Sequence, residues 1–234
     1  MFGVMVNVVA IAVGGTIGVL FKKVLSEKIS KAMMMTLGLA TFVIGLQGAI
    51  KFQKSLLLVI SLAIGTAIGT IIDIDRYVNE LGEFLKKFFV SKSKNESDEK
   101  FAEAFANASI LFAVGAMSVL GSIDAGLKQD YNILILKSTL DFVAAIMYAS
   151  IFGIGVAFSS ITILIFEGGI ALFSTLLKFL AENDAMMNEF SAVGNLLVMV
   201  IGLNLIGVTK VKLANMLPSI VIVVILYKLI YIGI

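Results

Sequence analysis

The sequence predicts an all-α, polytopic membrane protein of about eight transmembrane helices with an inverted-topology internal repeat. Three observations carry that prediction. Of 234 residues, 59% are hydrophobic and 15% charged, with a mean hydropathy of +1.05, whereas soluble domains carry about 45–50% apolar and about 25% charged residues. Eight apolar runs are each long enough to cross a bilayer core, which takes about 20 residues at helical rise. Two short motifs also recur in the same order at nearly one offset.

The runs fall at about 4–21, 32–50, 55–73, 104–123, 131–157, 159–181, 190–208 and 213–233. The first lacks a basic leader, is followed at once by Lys22 and Lys23, and has seven more behind it, so it reads as an uncleaved first span. Residues 131–157 and 159–181 are separated only around Phe158-Ser159-Ser160. Pro218, the only proline, sits in the eighth run, where it removes a helix hydrogen bond and predicts a kink. Eight spans leave no room for a soluble domain.

Basic residues orient the spans. Twelve of the eighteen fall in odd-numbered connections, five in even-numbered connections and termini, and Lys137 lies inside a span. The odd connections are therefore expected in the cytoplasm and both termini outside. In the long connection 75–103, Val78, Leu81, Phe84, Leu85 and Phe88 share a helical face before a polar stretch from Ser91 to Lys100. An amphipathic interfacial helix plus linker is expected there.

Val43-Ile44-Gly45-Leu46-Gln47 in the second run matches Val200-Ile201-Gly202-Leu203-Asn204 in the seventh, at an offset of 157. Ile11-x-x-Gly14-Gly15 matches Ile165-x-x-Gly168-Gly169, at 154. Spans 1 and 6 cross in opposite directions, so spans 1–3 and 6–8 form inverted repeats, an arrangement many secondary transporters use. The expected divisions are a first repeat at 1–74, a cytoplasmic segment at 75–103, a central pair at 104–157 and a second, inverted repeat at 158–234. Gly14 with Gly18, and Gly65 with Gly69, are four apart and suit close helix packing. Gly14-Gly15 and Gly168-Gly169 also suit a helix break that exposes backbone to a cavity.

The candidate ion or substrate ligands are the polar residues inside spans. An ionised side chain at the bilayer centre costs about 2.5–3.5 kcal/mol on the lenient insertion scale. Lys137 and Asp141 stand four apart on one helical face. Depth arithmetic from opposite sides brings Asp141 and Glu167 to nearly the same level, where transporters commonly bind. Two readings stay open: a salt bridge that only fixes helix orientation, and an ion or substrate site with Ser138 beside it. In the second, a carboxylate takes up a proton or helps to hold Na⁺. Gly121 to Asp130 is either a broken helix end or an external turn, with Asp124 and Asp130 attracting cations. Gln47 and Asn204, at equivalent repeat positions, are candidate gate or substrate contacts.

Histidine, cysteine and tryptophan are absent. That excludes Ser-His-Asp and Cys-His triads, zinc on imidazole or thiolate, and disulfides. No catalytic residue, metal site or cofactor is expected, and the chain reads as a non-enzyme. The net charge of +2 shows no bias toward nucleic acid. Expected partners are the lipid bilayer, a small solute or ion, and further copies of the chain. The leading functional expectation is alternating-access transport coupled to H⁺ or Na⁺, with a passive channel or a membrane scaffold or sensor as alternatives.

At Gly121-Ser-Ile-Asp124-Ala-Gly126-Leu-Lys-Gln-Asp130 and Leu136-Lys137-Ser138-Thr139-Leu140-Asp141, the chain resembles the YqgA/YdfK-like family of prokaryotic inner-membrane proteins. The likeness extends through Gly153-Ile-Gly155 and Glu167-Gly168-Gly169 and covers nearly the whole length. It implies a polytopic protein of the cytoplasmic membrane and supplies no substrate.

Overall fold

A computed structural model describes residues 1–22, 27–78, 80, 84, 98–113 and 116–232. Among them the secondary structure is helical, without strands. The helices are α1 (Phe2–Lys22), α2 (Glu27–Ala49), α3 (Ser55–Ile72), α4 (Asp98–Ala113), α5 (Ala116–Leu127), α6 (Asn132–Phe152), α7 (Gly155–Leu172), α8 (Ser174–Ala181), α9 (Asp184–Leu205) and α10 (Pro218–Tyr227). Most of the expected amphipathic helix at 77–89 lies outside the described residues. The surface is inverted relative to a soluble protein: Ile71 is 84% and Ile165 71% exposed, while Glu167 and Glu189 are fully buried. Apolar faces turned outward suit lipid, and buried polar groups then need internal partners.

Among the described residues, seven helices are long and apolar enough to span a bilayer, and eight if α4 and α5, bent by 61°, count as one. Gly3 meets Leu134 and Gly18 meets Ile146, so α1 and α6 run parallel.

Three boundaries differ from the sequence reading. The break expected at Phe158–Ser160 falls instead at Gly153, whose φ of 91° suits glycine and ends α6. The expected sixth span, 159–181, divides at Phe173 into α7 and the short α8. Pro218 does not kink a helix. It occupies the first turn of α10, where its missing N–H has no helical partner to lose, after a 3-10 turn at Leu213–Met216.

The chain forms two compact units. The first comprises Met1–Met34, Tyr77–Ala113 and Met117–Lys178; α1 packs against α6 and α7, and α4 against α7. Gly14 lies on the Phe142 carbonyl, Gly18 on that of Ile146, and Gly15 on the backbone of Ala157. An added Cβ at Gly15 would stand 2.6 Å from Ala157 Cα, so only glycine permits this approach of α1 to α7. Both sequence glycine pairs sit inside unbroken helices, not at the breaks considered above. Gly169 has open space where a side chain would project.

The second unit is built mainly from Met35–Arg76 and Phe179–Ile234. Within it α3 packs on α10, with Gly65 against Ser219 and Gly69 against Asn215. α2 crosses α9 antiparallel, and the contacts are reciprocal. A Cβ at Gly45 would meet Met199 Cα at 2.7 Å and the Asn195 carbonyl at 2.8 Å. One at Gly202 would meet Phe42 Cα at 2.7 Å and the Gly38 carbonyl at 2.6 Å. Gly45 and Gly202, Phe42 and Met199, and Gly38 and Asn195 are all related by the offset of 157. Each unit draws helices from both of the repeats marked out in the sequence.

Candidate functional site

Four helices of the first unit bring polar side chains to one place. On α6, the four-residue spacing lets Lys137 donate to Asp141. Lys137 Nζ also stands 3.4 Å from Glu167 Oε1 on α7. Ser118 of α5 donates to that same oxygen at 2.7 Å, and Asn7 of α1 donates to Oε1 at 3.0 Å and Oε2 at 3.2 Å. Asn7, Ser118 and Glu167 are fully buried, Lys137 is 5% exposed and Asp141 9%. Two carboxylates thus share one ammonium. With both ionised, the cluster holds one negative charge more than positive.

Apolar layers lie on both sides of this cluster. Val4, Ala125, Leu134 and Ala171 pack together as one buried group, with Val8 and Tyr131 against it. Each member stands three or four residues from a polar one: Val4 from Asn7, Ala125 from Ser122, Leu134 from Lys137, Ala171 from Glu167. In this collar Val4, Leu134 and Ala171 lie one helical turn from the cluster, about 5 Å, and Ala125 lies two turns from Ser118. Toward the other side Ile11, Ala145 and Ile163, each fully buried, stand four residues from Asn7, Asp141 and Glu167. Asn7 Oδ1 and Ser122 Oγ are buried without a hydrogen-bond partner. Buried polar atoms are normally paired.

The other candidates lie elsewhere. Ser138 is buried but bonds back to the Leu134 carbonyl at 2.6 Å. Residues 121–127 belong to α5, the short helix that follows the 61° bend after α4; the turn follows, at left-handed Gln129. Asp124 pairs with Lys128 at 2.7 Å, and that hydrogen bond holds the Lys128 amine above the ordinary lysine range. Asp130 Oδ1 accepts from the Asn132 N–H at 3.0 Å, at the start of α6. In the second unit Gln47 is exposed. Asn204 closes the turn after α9, accepting from Thr209 at 2.6 Å and donating to the Val211 carbonyl at 2.9 Å.

Asn7 and Ser118 had no prominent place in the sequence reading. For Asn7 there was a signal, since it is the only polar side chain before Thr16 in the first span. Ser118 had none, because α5 also holds Ser122 and two glycines.

Outward apolar faces around an internal polar cluster define a multi-pass membrane protein. Its sequence belongs to the family described as "Protein of unknown function (DUF554)", whose profile matches residues 2–228. The chain is 33% identical over 226 residues to the "Uncharacterized membrane protein YdfK" of Bacillus subtilis (strain 168), covering 95% of this chain and 93% of that one. To the "Uncharacterized protein YqgA" of Escherichia coli (strain K12) it is 32% identical over 217 residues, or 93% and 92% of the two chains. No solved structure matches. The family is the one that the Gly121–Asp130 and Leu136–Asp141 motifs resemble.

Proposed function

We infer that the protein transports a small solute or ion across the cytoplasmic membrane by alternating access, coupled to H⁺ or Na⁺. The observation that carries this reading is the charge count: Lys137 serves both Asp141 and Glu167. An unbalanced charge inside a membrane helix bundle is costly, and intramembrane ionisable groups commonly mark ion and substrate pathways. Binding one positive charge removes the imbalance. The residues in this role are Asp141, Glu167 and Lys137, with Asn7 and Ser118 holding Glu167.

The reciprocal crossing of α2 and α9 supports an inverted repeat, because a local two-fold axis generates such paired contacts. Repeats of this kind supply two alternative packings of similar energy. The Val4–Ala125–Leu134–Ala171 collar acts in this reading as the closed gate on the side of the α5–α6 turn. With eight spans, the distribution of basic residues puts both termini and that turn outside. The protein is then a carrier rather than an enzyme.

Uptake by proteoliposomes across a panel of solutes and ions tests the reading. Saturable uptake driven by a pH or Na⁺ gradient and lost in Asp141→Asn is expected. Conductance that needs no coupling ion makes the protein a passive channel instead.

A further inference from the structure

Resting on that reading, we propose that the two acids of the cluster have different tasks: Glu167 is a permanent anion that anchors Lys137, and Asp141 is the residue that binds and releases a proton. The division follows from their partners. Oε1 of Glu167 receives Ser118 at 2.7 Å, Asn7 at 3.0 Å and Lys137 at 3.4 Å, while Oε2 receives Asn7 at 3.2 Å. Every partner is placed as a donor. As placed, such a shell solvates a carboxylate; a carboxylic O–H would find an acceptor only by turning Asn7, whose Oδ1 is unpaired, or Ser118, so protonating Glu167 would disrupt contacts to three helices.

Asp141 has a smaller shell, made by Lys137 and the Asn7 amide. Its charge-bearing partner is Lys137, on its own helix. Its side chain is 13% accessible where that of Glu167 is inaccessible. The other packed elements bring no further charge to it in the described residues. α1 contributes Asn7 and α5 contributes Ser118 and Ser122, all neutral. On α4, Glu103 is exposed, and Tyr148 lies two turns away along α6.

A proton suits this place better than a metal ion. The ammonium of Lys137 already bonds Asp141 and would repel a metal cation, and among the described residues no group of three acidic side chains gathers to hold one. A proton needs one oxygen. When it binds, an O–H bond forms on Asp141, Lys137 stays an ammonium, and the three groups go from one net negative charge to none. Asp141 then no longer attracts the ammonium, which pairs wholly with Glu167, 3.4 Å away. Loss of the proton restores the shared arrangement. Lys137 thereby converts proton binding on α6 into a changed bond between α6 and α7.

Infrared difference spectra of the full-length protein in proteoliposomes, recorded between acid and neutral pH, read this without a substrate. A protonated-carboxyl band of a buried acid is expected in the wild type. Asp141→Asn abolishes it. Asp141→Glu keeps the charge but moves the band's frequency, whereas Glu167→Asp leaves the frequency unchanged. Replacing choline chloride with sodium chloride does not alter the midpoint.

A band that persists in Asp141→Asn, or that moves in Glu167→Asp, overturns the division of roles. So does a sodium-dependent loss of the band, which would make a metal cation the ligand. If Asp141→Asn is not recovered folded, Asp141→Glu decides alone: an unmoved band contradicts the proposal. Absence of uptake by the wild type would remove the transport reading while leaving this assignment standing.

Discussion

The two units use buried polar groups in opposite ways. In the first, Lys137, Asp141, Glu167, Asn7 and Ser118 bond to one another, side chain to side chain, across four helices. In the second, polar side chains serve the backbone. Fully buried Glu189 accepts from the N–H groups of Gln53 and Lys54 at 2.7 and 2.8 Å, at the start of α3. Asn215 accepts from the Asp75 N–H at 2.8 Å, and Asn204 closes the turn after α9. A helix end leaves backbone donors or acceptors without helical partners, which a membrane interior does not solvate, so these groups have a structural task. The cluster of the first unit satisfies no helix end and shares one ammonium between two carboxylates. Glu189, by contrast, is held by backbone donors on one oxygen and leaves Oε2 unpaired. Burial of charge alone is therefore a poor guide to function; what the charge is bonded to separates the two cases.

The comparison breaks most visibly at Lys137. Lys137→Met leaves two carboxylates without their cation and is expected to cost about 3–5 kcal/mol, the range for breaking a buried pair. Thermal denaturation in detergent reads this as a large drop in midpoint. Adding Asp141→Asn and Glu167→Gln to Lys137→Met is expected to recover most of it, because no buried charge then remains. A triple variant as unstable as the single one would mean that packing of the lysine stem, not charge, is what counts.

Next in size is Glu189→Ala, which strips two backbone donors of their acceptor. A loss of about 1–3 kcal/mol is expected, the cost of leaving buried groups unpaired, with transport per folded molecule retained. Gly45→Ala and Gly202→Ala should each cost about 1–3 kcal/mol by overpacking. They should cost the same within error, because their contacts are reciprocal. Clearly unequal losses would count against the two-fold relation of α2 and α9. Smallest is Asp130→Ala, which removes an exposed acceptor for the Asn132 N–H at the start of α6 and is expected to lower stability by about 0.5 kcal/mol.

Much of the fold was legible because membrane helices announce themselves by length and apolarity. The pair Lys137 and Asp141 was legible for a local reason, since four-residue spacing places both on one helical face. Gly45 and Gly202 were visible as a repeated motif, though not as each other's neighbours. The break at Gly153 was missed because an apolar run continues across it, and nothing in composition marks a positive φ. Pro218 was misplaced for a related reason: hydropathy runs through Leu213–Met216 without showing that the α-helix starts at the proline. Asn7 and Ser118 stayed in the background because their importance lies in meeting Glu167, 160 and 49 residues away. No local pattern encodes that distance.

The central claim is that the charge cluster of the first unit carries the traffic and the buried acid of the second does not. Gradient-driven flux in proteoliposomes, measured side by side for the wild type, Asp141→Asn and Glu189→Gln at equal amounts of folded protein, tests it most directly. Flux abolished by Asp141→Asn and kept by Glu189→Gln is the predicted result; flux that survives Asp141→Asn, or that is lost only in Glu189→Gln, would contradict it.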